Sequence, residues 1–129
     1  MNTIPTLQKN KPASDPFLEI KIHEFYIGML IHPLQKIPPL TKIAFDMNVP
    51  VDKFKAAFKA IYGQSHYQVH MNIKLECAKR ILCSGQYRVW QVSAMLGYSQ
   101  TAKFVLIFRK KTGMTPKQFA NANKKELLL

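Results

Sequence analysis

A chain of 129 residues with 47% hydrophobic side chains can fill a real core, which argues against wholesale disorder and limits the architecture to one domain or two small subdomains sharing an element. Nineteen Lys and Arg against seven Asp and Glu leave a net charge of +12. Such an excess attracts polyanions: nucleic acid is the first candidate, an anionic membrane surface the rival, and plain solubilisation the bland alternative. No apolar run is long enough to span a bilayer and no signal peptide precedes the polar, Pro-broken start, so a cytoplasmic protein that does not enter membranes is expected.

Residues 1–16 carry Pro5, Pro12 and Pro16 among Asn, Lys and Ser and read as a tail or linker. From Phe17 to Ile31 the apolar residues Ile20, Ile22, Phe25, Tyr26, Met29 and Leu30 recur at largely helical spacing, predicting a first helix that Pro33, Pro38 and Pro39 terminate. An internal repeat follows. The stretch from Leu40 to Pro50, continued by Val51 to Gly63, matches the stretch from Val89 to Ser99, continued by Gln100 to Gly113. Ile43 pairs with Val92, Ala44 with Ser93, Met47 with Leu96 and Asn48 with Gly97. The second copy then gains one residue, so that Phe54 pairs with Phe104, Phe58 with Phe108 and Gly63 with Gly113. Each copy closes on a helix N-cap with its capping-box partner, Ser65 with Gln68 and Thr115 with Gln118, and Pro116 stands where its missing N–H is no loss.

The repeated pattern has a physical logic. A short helix must stop and hand over steeply to a second, and the stop needs a residue that tolerates positive φ; Asn48 and Gly97 are of the two types that do so most readily. The small Ala44 and Ser93 let the second helix cross close, Val49 and Tyr98 plug the corner, and Phe54/Phe58 and Phe104/Phe108 give each second helix a core-facing stripe. These are the marks of a helix-turn-helix, whose second helix enters a major groove; an ordinary helical hairpin is the alternative for one copy and a poor account of two on a chain this basic. Between the copies, Ser65 to Leu82 reads as one long helix with a stripe of Val69, Ile73, Cys77 and Ile81, widened by Leu75, Ala78 and Leu82, and Gly85 ends it. A rigid connection would set the two units about one duplex turn, ~34 Å, apart. The expected division is thus 1–16 tail, 17–64 first helix-turn-helix subdomain, 65–85 linker helix, 86–122 second subdomain and 123–129 tail.

Other chemistry finds little support. Cys77 and Cys83, six apart in one predicted helix, would lie roughly 9 Å apart along its axis, too far for a disulfide, and neither has zinc-site spacing. His66 and His70 have a chelating i, i+4 spacing, but no carboxylate lies near to complete a metal shell. Ser65, Ser93 and Ser99 lack a nucleophile-elbow context. No enzyme activity, metal or cofactor is expected. Trp90 is read as a packing residue, and Lys124-Lys125 as a solvated tail.

The second unit, with Val92, Gly97-Tyr98-Ser99, Phe104, Phe108-Arg109-Lys110-Lys111, Gly113, Thr115-Pro116 and Phe119, resembles the signature of the AraC/XylS family of bacterial transcription regulators. The first unit and the linker helix (Lys74-Leu75-Glu76, Ala78 and Leu82) fit it as well, and the resemblance runs from about Phe17 to Asn121. It implies an all-α fold of seven helices, two helix-turn-helix subdomains joined by a long linker helix, that binds two adjacent major-groove segments of double-stranded promoter DNA. By the same resemblance Asp52, Lys55 and Ala56, and in the second unit Thr101, Ala102, Val105 and Leu106, face bases. Lys53, Lys59, Tyr98, Lys103, Arg109, Lys110 and Lys111 are the candidates for phosphate. Family members usually carry a polar residue followed by Arg where this chain has Val105-Leu106, so bidentate guanine readout is lost there. Apolar residues at that point fit thymine methyls or a protein groove equally well. RNA polymerase and a sensor or dimerisation domain are the further partners the resemblance implies, and the linker-like start favours a piece of a longer regulator. The alternative function is a degenerate helix-turn-helix module that docks protein and binds DNA weakly and without specificity.

Overall fold

The computed structural model describes residues 15–124, and within them the chain is all-α. Seven helices follow in order: α1 (Pro16–Ile31), α2 (Leu40–Asp46), α3 (Val51–Tyr62), α4 (His66–Cys83), α5 (Val89–Met95), α6 (Thr101–Thr112) and α7 (Pro116–Asn123). The chain divides into two compact units, Met1–Met71 and Asn72–Leu129, the division falling inside α4. Most of the two expected tails, with Lys125 and Leu127 to Leu129, lies outside the described residues.

α1 starts one residue earlier than its apolar pattern predicts, because Asp15 caps it: its Oδ1 accepts from the Phe17 N–H at 3.0 Å, and Pro16 opens the helix with its φ already set. Leu18, Ile22 and Met29 turn inward, whereas Phe17, Ile20, Ile27, Leu30 and Ile31 are exposed. The expected stripe is therefore only partly right, with Ile20 and Leu30 on the outside. A helix apolar on nearly every side offers periodicity no unique face to choose. Ile43 and Ala44 of α2, Phe54, Phe58 and Ile61 of α3, and Val69 complete the core of the first unit.

The second unit is built around Leu75, Ala78 and Leu82 of α4, Val92 and Ser93 of α5, Leu96, and Phe104 and Phe108 of α6, with the buried Pro116 at the start of α7. Here the linker helix departs from its predicted stripe. Ile73, Cys77 and Ile81 are only half-buried, and the dry face runs through Leu75, Ala78 and Leu82 at i, i+3, i+7. Neither Cys77 nor Cys83 forms a disulfide. Trp90, expected to pack, is 59% exposed at the start of α5. Among the described residues no helix is long and apolar enough to cross a membrane.

Candidate nucleic-acid interface

Each unit contains the same corner. α2 ends as Asn48 enters the left-handed region at φ 59°, and α5 ends as Gly97 does so at 91°. In the first corner the Asn48 N–H donates to Phe45 O at 2.9 Å and the Val49 N–H to Ala44 O at 3.1 Å. In the second, the Gly97 N–H donates to Ala94 O and the Tyr98 N–H to Ser93 O, both at 3.0 Å. This pair of bonds, one reaching back three residues and one five, is the Schellman closure, and it satisfies carbonyls that a helix end leaves open. The predicted one-residue difference appears after it: Pro50 precedes α3 directly, while Ser99 and Gln100 precede α6.

Ala44 and Ser93 are 2% and 1% exposed, so the small side chains stand where the two helices of each corner cross. In unit two the price is an orphan, since the buried Ser93 hydroxyl finds no hydrogen-bond partner. Phe54, Phe58, Phe104 and Phe108 are completely buried. α3 and α6 then end alike, Gly63 and Gly113 closing back with N–H donation to Lys59 O and Arg109 O at 2.7 and 2.8 Å. Both expected capping boxes form. Ser65 Oγ accepts from the Gln68 N–H and Thr115 Oγ1 from the Gln118 N–H, each at 3.1 Å, and each glutamine returns its Oε1 to the cap N–H.

With the phenylalanines turned inward, a defined face of each second helix turns out. On α3 it carries Asp52, Ala56 and Lys59 at i, i+4, i+7, with Lys53 and Lys55 also exposed. On α6 the equivalent positions are Ala102, Leu106 and Arg109, with Lys103, Lys110 and Lys111 exposed, while Thr101 and Val105 are half-buried. Lys59 and Arg109, expected to serve phosphate, thus share the outward face of the residues expected to face bases; plotting the repeat at 100° per residue reveals this from sequence alone. Tyr98 is half-buried, tilted against Phe104 at 5.6 Å, and the Lys74 ammonium sits 4.9 Å from its ring centroid. Burial holds the Lys74 amine below its usual range. Nothing local in the sequence marks Lys74 for this contact.

In the first unit an aromatic cluster steadies α3. His66 packs edge-on against Phe54 at 5.5 Å, and burial first, then the Lys55 ammonium, lowers its pKa. Tyr62 stacks on Tyr26 at 4.4 Å, and its hydroxyl lies 2.6 Å from His23 Nδ1, the donor set by the tautomer. Burial, then Tyr26, pushes the Tyr62 hydroxyl up to about 12. The pair ties the last turn of α3 to α1. Among the described residues no three His, Cys, Asp or Glu gather as a metal site would require.

Charge divides unevenly. Residues 15–71 hold six Lys against five carboxylates, a net +1, whereas residues 72–124 hold ten Lys and Arg against Glu76 alone, a net +9.

Residues 43–122, more than half of the chain, match the family model described as a helix-turn-helix domain. The chain belongs to the AraC/XylS family of helix-turn-helix transcription regulators. Among curated AraC-type relatives, the transcriptional activator AggR of Escherichia coli is 33% identical over 86 residues, covering 67% of this chain and 32% of AggR. The dual transcriptional regulator Rns of Escherichia coli is 38% identical over 52 residues, covering 40% of this chain and 20% of Rns. The chain spans between 20% and 40% of the length of the curated relatives it matches. An AraC-type regulator from Chromobacterium violaceum superimposes with a TM-score of 0.69 at 16% identity, covering 84% of this chain and 96% of its own. The DNA-binding domain of the global transcriptional factor AdpA, solved with a target DNA, gives 0.69 at 20% identity, covering 88% and 96%. At such identities the likeness is one of fold.

Proposed function

We propose that this AraC-type chain is a sequence-specific double-stranded DNA-binding regulator in which α3 and α6 each enter a major groove of promoter DNA. The observation that carries it is the pair of equivalent outward faces, each held opposite two buried phenylalanines and introduced by the same closed corner. Asp52, Lys55 and Ala56 of α3, and Thr101, Ala102, Val105 and Leu106 of α6, are the base-facing set. Lys55 is long enough to donate to guanine O6 or N7, and Asp52 to accept from a cytosine amino group. Lys53, Lys59, Tyr98, Lys103, Arg109, Lys110 and Lys111 hold phosphate, with Tyr98 steadied from behind by Lys74. Such a protein works in the cytoplasm; RNA polymerase and a sensor or dimerisation domain are the further partners proposed for the regulator.

Selection of sites from random duplex DNA, followed by titration of the winner across a salt series, tests the proposal. For about 5 phosphate contacts the slope of log affinity against log salt is about −4 to −5. A flat slope, or a selected pool without a preferred sequence, overturns it.

A further inference from the structure

We infer that Leu106, with Ala102 and Val105 beside it, reads the C5-methyl groups of thymine in the half of the DNA site that α6 enters, an inference that rests on the function proposed above. Leu106 is 66% exposed at the centre of the outward face, opposite the buried Phe104 and Phe108. One exposed leucine alone needs no explanation. This one is part of a set. Ala102 lies one turn before it on the same face, and Val105, half-buried, borders it, so the first two turns of α6 present apolar surface where α3 presents Asp52 and Lys55.

The surroundings of the strip point to its ligand. Lys103 and Lys110, seven residues apart and both exposed, run along one flank, and Arg109 continues the face beyond Leu106. An apolar centre edged by cations complements a major groove, whose floor carries thymine methyls and whose walls are phosphate. A protein groove receiving the same face would have to be apolar within and acidic around. No carboxylate lies on α6 to soften the match. Thymine is the one standard base whose major-groove edge ends in an alkyl group, so an apolar face selects it by burial, without hydrogen bonds.

The test uses the selected duplex, with thymines replaced one at a time by deoxyuridine, which lacks only the methyl group. The α6 half is the one whose base preference survives Lys55→Ala. Wild-type protein should lose affinity about fourfold for each contacted methyl removed there, the worth of one buried methyl-sized group. Leu106→Ala should bind the thymine duplex more weakly by a similar factor and no longer distinguish deoxyuridine; Leu106 is exposed, and an unchanged thermal melt confirms that the variant folds. A selected α6 half without thymine, wild-type indifference to deoxyuridine, or a Leu106→Ala protein that still responds in full overturns the methyl contact while leaving the proposed function standing. Unchanged affinity of Leu106→Ala for every duplex overturns it in favour of a protein-docking role. The absence of any preferred duplex overturns both together.

Discussion

The first unit presents Asp52 and Lys55 on α3, beside the exposed Ala56 and Lys59, and is close to electroneutral, with a net +1 over its described residues. The second has Ala102 and Val105 where the first has Asp52 and Lys55, with Leu106 in place of Ala56 and Arg109 in place of Lys59, and holds a net +9. Two copies of one corner, closed by the same pattern of hydrogen bonds, thus differ in surface chemistry at two of the equivalent positions. The contrast teaches that attraction to a duplex and discrimination among duplexes are separable properties of the same scaffold, since phosphate contacts position and base contacts specify. On the proposed function, attraction would belong mainly to the second unit and hydrogen-bonded reading to the first.

The largest effects test whether the two cores are equivalent at all. Phe58→Ala and Phe108→Ala should each destabilise by about 3–5 kcal/mol in denaturant melts, because both rings are fully buried and small residues leave cavities. Phe58 also touches Phe25, Phe54, Tyr62 and His66, whereas Phe108 meets Phe104 and Phe119, so the first unit should suffer at least as much. A near-neutral result at either position breaks the alignment of the repeat.

Next comes the division of surface labour. Lys55→Ala should relax preference at one or two base pairs by about 1–3 kcal/mol, while Lys110→Ala should weaken selected and scrambled duplexes alike. Equal loss of specificity from both variants would erase the contrast between the units.

The corner itself is sharpened by a smaller substitution. Gly97→Ala should destabilise by about 1–2 kcal/mol, the penalty of a left-handed backbone for an L-residue, because a Cβ there would meet nothing within 4 Å and only φ is at issue. Asn48→Gly in the first corner should be neutral or mildly stabilising by the same logic, and thermal melts of the two variants give the comparison.

The smallest change has the opposite sign. Ser93→Ala removes a buried hydroxyl that lacks a partner and installs the residue that the first unit already uses at Ala44. It should leave stability unchanged or raise it by about 1 kcal/mol. A loss larger than that would mean the hydroxyl has a role in the folded protein that its surroundings do not reveal.

Much of this fold can be read from residue spacing, because the features that define it are local. The corner needs one residue tolerant of positive φ and one small residue four positions before it, and both occur twice in register. Ser65/Gln68 and Thr115/Gln118 are equally local. What spacing could not supply is the choice among faces. α1 is apolar almost all round, so Ile20 and Leu30 passed for core although both are exposed; on α4 the equally regular series Ile73, Cys77, Ile81 competed with Leu75, Ala78, Leu82, and only the neighbours that arrive from elsewhere in the chain decide between them. The same holds at the candidate interface. Which residues fall on α3 and α6 was evident, but that Thr101 and Val105 sink to half-burial while Leu106 stands clear depends on packing. The contacts of Lys74 with Tyr98 and of His23 with Tyr62 join residues far apart in sequence and leave no periodic trace.

The closures of the two corners also bear on how the protein comes into being. Their hydrogen bonds reach back no more than five residues, and the compact first unit ends at Met71, before any of α5, α6 or α7 has been synthesised. Contacts this local exact little loop-closure entropy and form quickly, and domains generally fold as units in the order in which they leave the ribosome. The first corner can therefore close on the nascent chain while the strongly basic half is still being translated. That order brings most of the chain's excess positive charge out of the ribosome only after the first corner can have closed.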